Sequence, residues 1–279
     1  MSKIPTISIG LPVFNGEEYL NETINSILNQ TFSDFEIIIS DNASTDNTAS
    51  LCQDYILSDS RIKYFKQTNN IGFHKNYKYV LEKARGKFFM WFASDDLLSN
   101  NNSLMNLYKK FNHDTDYVLP DVSIINNRGQ IVKHNLMSPF KNAHKKFDFA
   151  KASIHASAHI VYSLFRTNIL KEDFYLLEKF KGFISYWEGY FVHVVATQRK
   201  GVFASSVLKL WRHHENNTSN FIIPKKQLFD YLKYAYFRIK FFYNYNCFSI
   251  KQKIQLIMLM LTQDIYHIVI LLKNLVFHN

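Results

Sequence analysis

Residues 6–98 alternate short apolar, β-branched runs with segments whose apolar residues recur at helical spacing, and this alternation constrains the fold more than any other feature. Residues 6–14 and 35–40 read as strands, the second carrying three consecutive isoleucines. Between them, residues 17–29 place Leu20, Ile24, Ile27 and Leu28 on one helical side. A second helix over 46–57 gathers Leu51, Cys52, Tyr55 and Ile56, and a third over 73–84 gathers Tyr77, Val80, Leu81 and Ala84 before Gly86 stops it. Short strands at 62–65 and 87–92 complete the pattern. Strand–helix units of about thirty residues imply βαβ crossovers and a parallel sheet.

Beyond residue 98 the regularity fades. A strand is expected over 117–126, ending in a turn at Asn127, Arg128 and Gly129, then a polar stretch over 130–155 with no clear period. A helix over 187–197, a strand over 202–211 and two C-terminal helices over 226–243 and 249–277 follow. The expected organisation is an α/β domain over 1–222, with a ligand-binding half at 1–98 and a second half at 99–222, then a helical extension over 223–279.

The chain has 279 residues and a formal net charge of +10, which favours anionic partners. Its basic residues are scattered and form no nucleic-acid motif, so nucleic acid is not an expected partner. Cys52 and Cys247 are too few and too distant for a disulfide framework or a zinc site, and a reducing cytoplasm fits them. The N-terminus enters a strand directly, without a signal-peptide pattern. The last helix is strongly apolar, but Gln255, Thr262, Gln263, Asp264, His267 and Lys273 interrupt it. A membrane span needs about 20 apolar residues. Three readings remain for it: a peripheral contact with an anionic membrane, a contact with a partner, or packing on its own domain.

In open parallel sheets, ligands bind beyond the C-terminal strand ends. Four such ends are expected here. The first delivers Pro12, Val13, Phe14, Asn15 and Gly16, and the second Asp41, Asn42, Ala43, Ser44, Thr45 and Asp46. The third delivers Asn69, Asn70, Ile71 and Gly72, and the fourth Ser94, Asp95 and Asp96. Adjacent carboxylates repel unless a cation joins them, and a hard divalent ion with oxygen ligands suits this pair. A helix N-cap before Leu97 is the alternative.

These residues resemble the landmarks of family 2 glycosyltransferases. Leu11, Pro12, Val13, Phe14 and Asn15 match a Pro-x-Tyr-Asn turn, and residues 40–46 match an Asp-rich loop after the second strand. Asn70, Ile71 and Gly72, then Asn76, then Ala84, Arg85 and Gly86, then Ser94, Asp95 and Asp96 follow in the family's order. The match covers residues 6–98. Each motif alone is weak, and their order at strand ends makes the joint signal strong.

The resemblance implies a GT-A fold: a mainly parallel central sheet flanked by helices. It implies that Pro12, Val13, Phe14 and Asn15 wall the nucleoside, with Asn70, Gly72, Asn76 and Ser94 nearby, and that Asp41 bonds the nucleobase. Asp95 would approach the ribose or metal, and Asp96 would be the principal ligand of Mn²⁺ or Mg²⁺. Phe14 stands where Tyr is common, and Ala93 stands where a further Asp is common. Glu188, the one acid in a stretch where the family places its catalytic base, is assigned that role; an ordinary Glu is ionised at neutral pH without special tuning. Trp211, Arg212, His213 and His214 resemble an Arg-x-His element, with Arg212 on the diphosphate and His214 on the metal.

The resulting expectation is an inverting, metal-dependent hexosyltransferase. It would move a sugar from a nucleotide-diphosphate donor, a UDP-sugar first among them, to a hydroxyl of a glycan or lipid-linked acceptor in bacterial surface polysaccharide synthesis. Its expected place is cytoplasmic, peripheral on the inner face of the plasma membrane. A nucleotidyltransferase is disfavoured because the first strand end offers one glycine and no cation; a non-catalytic scaffold keeping the fold is the other alternative.

Overall fold

A computed structural model describes residues 3–143, 145–155, 158–178, 187–214, 235, 236, 239 and 248–277. The helix expected over 226–243 lies largely outside them.

The first half follows the alternation closely. Strands β1 (Ile7–Val13), β2 (Phe35–Asp41), β3 (Ile62–Lys66) and β4 (Phe88–Trp91) pair in parallel, in the order β3-β2-β1-β4. Helices α1 (Leu20–Leu28), α2 (Thr48–Ser58) and α3 (Phe73–Lys83) make the crossovers. Every residue of β1 and β2 is buried, because helices cover both sheet faces. On one face Ile7, Ile9, Ile37 and Ile39 pack with Leu20, Ile24, Ile27 and Cys52. On the other, Ile38 packs with Tyr77, Val80 and Leu81. Two-residue strand alternation sends Ile37 and Ile38 to opposite cores.

The second half keeps the sheet mainly parallel and adds short antiparallel pairings to it. Short β5 (Leu97–Leu98) is followed by α4 (Ser103–Tyr108), β6 (Tyr117–Ile125) and β7 (Ile131–Lys133). The polar stretch holds α5 (Lys146–His155), then a 3₁₀ turn at Ala158–Tyr162, β8 (Leu164–Arg166) and α6 (Thr167–Glu178). Helix α7 (Trp187–Gln198) and strand β9 (Gly201–Arg212) were both expected. β8 joins β4 and β6 antiparallel, β9 pairs parallel to β6, and β5 and β7 close antiparallel on β9 and β6. The sheet is therefore mixed. β5 and β8 have two and three residues, too short to show any period, and exist through their partners.

The landmark at Ala84, Arg85 and Gly86 is structural. Buried Glu36 accepts from Ser8 Oγ at 2.7 Å and from Arg85 Nη2 at 2.6 Å, while Gly86 N donates to Ser8 Oγ at 2.8 Å. A Cβ on Gly86 would lie 2.7 Å from Ser8 N, so the glycine allows the chain to enter β4 against β1.

Helix α8 (Ile250–Phe277) packs Leu256 and Met260 with Phe248 against Ala150 of α5, as self-packing requires. Ile250, Ile254 and Met258 on α8 are exposed. No helix among the described residues is long and apolar enough to cross a membrane.

Candidate active site

The C-terminal ends of β1, β2 and β4 open onto one cavity of about 540 Å³. Its wall includes Pro12, Val13, Phe14, Asn15, Asn70, Asn76, Ser94, Asp95, Glu188 and His214, all expected from the sequence. Residues from four strand ends, α7 and the end of β9 thus converge on one space.

Side-chain-to-backbone bonds sew the loops around it. Asn15, at φ 50°, accepts from Thr45 N at 2.9 Å, and Asn15 N donates to Ser44 Oγ at 2.9 Å. Asn42 donates through Nδ2 to Asn70 Oδ1 and accepts from Ile71 N, so the second loop holds the third. Gly72, at φ 85°, lets the chain turn into α3 and donates its N–H to Asn70 Oδ1; Phe73, not Gly72, reaches the cavity wall. Asn76 is buried and bonds Ser40 twice, through Oδ1 from Ser40 Oγ and through Nδ2 to Ser40 O.

Three sequence assignments change. Asp41 is fully buried and accepts from Ser44 N at 2.8 Å and Tyr64 Oη at 2.7 Å. It shapes the loop, and its neighbour Asn42 lines the cavity instead. Successive strand residues face opposite ways, so a shift of one position decides between ligand wall and interior. Asp96 is also fully buried. One carboxylate oxygen pairs with Lys209 Nζ, and Oδ1 accepts from Arg212 N at 2.9 Å. Burial pushes its carboxyl up, and the Lys209 ammonium opposes this. A carboxylate engaged this way inside the protein does not face a metal in the cavity, and the helix-cap alternative fails as well, since β5 follows directly.

Arg212 is the third. It is fully buried and spans the structure: Nε to Asp95 O at 3.0 Å, Nη1 to Asn127 O at 3.0 Å, Nη2 to Glu22 Oε2 at 2.6 Å, with the guanidinium 4.5 Å over Tyr19. It clamps the turn that carries Asp95 and does not line the cavity.

What faces the cavity is Asp95. Its Oδ2 lies 3.0 Å from His214 Nε2, and the His214 ring packs on Tyr19 at 5.0 Å between centroids. One carboxylate oxygen and one imidazole nitrogen form an open donor set, to which phosphate and water oxygens can add. No cluster of three or more potential metal ligands occurs among the described residues. With phosphate and water oxygens added, such a donor set would fit a hard divalent ion, Mn²⁺ or Mg²⁺.

Glu188, in the first turn of α7, lines the same cavity. Burial pushes its carboxyl up from 4.5 to about 7. This corrects the expectation of an untuned Glu: a group near 7 is matched to taking and returning a proton at neutral pH. Beside it stand Tyr162 and Tyr77, whose hydroxyls lie 3.1 Å apart, and His159, whose ring meets Trp211 edge-on at 5.0 Å. Burial lowers His159 to about 3, so this imidazole is neutral. His159 and Tyr162 arrive on a 3₁₀ turn with no periodic signal and escaped the sequence reading; Asn42 was discoverable from strand parity.

Comparison with known proteins agrees with this architecture. The sequence pattern of glycosyl transferase family 2 matches residues 8–174. A GalNAc(5)-diNAcBac-PP-undecaprenol β-1,3-glucosyltransferase of Campylobacter jejuni is 33% identical over 177 residues, covering 62% of this chain and 57% of that protein. The chain spans about half the length of the curated relatives it matches. Among solved structures, TarS of S. aureus superposes with a TM-score of 0.67 at 19% identity, over 92% of this chain and 70% of that one. A mannosyltransferase of Pyrobaculum calidifontis, crystallised with GDP-Man and Mn²⁺, superposes with a TM-score of 0.58 at 15% identity, over 99% of this chain and 75% of that one. With the ordered strand-end motifs, the mixed sheet and the shared cavity in place, the chain belongs to glycosyl transferase family 2 and has the GT-A fold.

Proposed function

We propose that the protein is an inverting glycosyltransferase that moves a sugar from a UDP-sugar to a hydroxyl of a lipid-linked or glycan acceptor in bacterial surface polysaccharide assembly. The observation that carries this reading is the convergence of Glu188 and the Asp95–His214 pair on one cavity walled by residues 12–15. The uridine assignment is supported by the complex of TarS with UDP-GlcNAc. The lipid-linked acceptor is supported by the undecaprenol-linked substrate in the name of the Campylobacter relative.

In this mechanism Pro12, Val13, Phe14 and Asn15 wall the nucleoside, Asn42 and Asn70 offer amide edges to the base, and Asp95 with His214 would hold a divalent ion. The ion, when bound, neutralises charge on the departing diphosphate. Glu188 accepts the proton of the acceptor hydroxyl as that oxygen bonds the anomeric carbon. The bond from that carbon to the phosphate oxygen breaks, and its electron pair leaves with the nucleoside diphosphate. Attack opposite the leaving group inverts the centre. The basic surface and the exposed apolar residues of α8 suit a peripheral position on an anionic membrane that carries the acceptor.

The test is a panel of nucleotide sugars scored by thermal stabilisation and by nucleotide release, with MnCl₂ and with chelator. A UDP-sugar should raise the melting temperature and release UDP only with the metal. Absence of both responses for every nucleotide sugar would sink the proposal.

A further inference from the structure

Lys209 is fully buried, and its ammonium meets Asp96, also fully buried, while lying 4.1 Å over the Tyr162 ring. A buried ion pair contributes little net stability, because desolvation offsets the attraction; its best-attested use is to fix register. Register is what this strand needs. β9 pairs with β6 through irregular steps between Pro120 and Asp121 and again between Asp121 and Val122, and Lys209 stands opposite Val122, directly past the second. Beyond such a bulge the ladder alone does not set which way each side chain points, and a one-residue slip reverses all of them.

Asp96 is held from the other side. Thr23 Oγ1 donates to the carbonyls of Ser94 and Asp96 at 2.9 Å each, tying the turn at 93–96 to α1. We propose that Lys209 is a positioning residue: by engaging Asp96 it pins the end of β9 to this turn, and so sets His214 against Asp95 in the cavity. This rests on the metal-diphosphate reading above.

The test uses two variants of the full chain. Lys209→Met with Asp96→Asn removes both charges at nearly constant volume, leaving no buried ion unpaired. Lys209→Met alone removes the donor toward Asp96 and leaves the turn at 93–96 unchanged in sequence. Folding is checked by circular dichroism and melting. The readout is UDP affinity by calorimetry across MnCl₂ concentrations, which needs no turnover. Wild type should gain affinity with Mn²⁺. A folded variant should keep its metal-free UDP affinity within about twofold and lose tenfold or more of the Mn²⁺-dependent gain. A wild-type gain in either folded variant overturns the positioning role while leaving the functional reading intact. A wild type that binds UDP with no gain from Mn²⁺ overturns the metal reading and this inference with it.

Discussion

Replacing Glu188 with Gln should abolish sugar transfer and, at alkaline pH, stabilise the fold. Both effects come from one number. Burial raises the carboxyl from 4.5 to about 7, so the protein favours the protonated form. The active form of a general base is the ionised one. Its population is about one in eleven at pH 6 and about ten in eleven at pH 8, so kcat/KM should rise about tenfold between them and level above pH 8. Stability runs the opposite way. A carboxyl whose folded pKa lies above its unfolded value contributes no deficit below pH 4.5; the deficit grows between 4.5 and 7 and is complete above 7. The shift converts to about 3 kcal/mol, an upper bound because water in the cavity screens the charge. Glutamine cannot ionise. At pH 8 the variant should therefore melt several degrees above wild type, and near pH 4.5 the two should melt together. Initial-rate profiles from pH 5.5 to 8.5 and scanning calorimetry at pH 4.5 and 8 measure the two halves. A profile that is flat from pH 5.5 to 8.5, or a Glu188→Gln variant with more than a few per cent of wild-type kcat, would refute the reasoning.

Asp95→Ala should remove the Mn²⁺ dependence of UDP binding and lower kcat by about a hundredfold or more, whereas His214→Ala should mainly raise the Mn²⁺ concentration needed; calorimetry and metal titration of the rate distinguish them. Asp41→Asn should spare UDP affinity within about threefold but destabilise the fold by about 1–3 kcal/mol in denaturant melts, since it leaves a buried network short of its charged acceptor. Phe14, 49% exposed on the cavity wall, should when changed to Ala weaken UDP binding about tenfold with little change in melting temperature. Gly86→Ala should cost about 1–3 kcal/mol, because the added methyl meets the backbone of β1, which cannot move aside.

The alternation of residues 6–98 determined the parallel half-sheet and where its ligand end lies, because helix and strand periods are local properties of the chain. The ordered motifs likewise named the strand-end residues of the cavity wall to within one position, but not His159 or Tyr162. Facing could not be read that way. Asp41 and Asn42, or Asp95 and Asp96, are chemically similar neighbours, and which one meets ligand depends on how the chain leaves its strand: Asn42 follows the last residue of β2, and Asp95 and Asp96 lie in the turn after β4. The partners that settle it, Tyr64 for Asp41 and Lys209 for Asp96, lie 23 and 113 residues away. Nor could the sequence show that Glu188 is tuned, since its burial where α7 meets the cavity is a property of packing. The second half of the sheet was illegible for the same reason: two- and three-residue strands carry no period, and only pairing with β4, β6 and β9 makes them strands. The carboxylate pair at residues 95 and 96 was visible from the start, but only the tertiary structure divided it into Asp95, which meets the cavity, and Asp96, which holds the protein together beneath it.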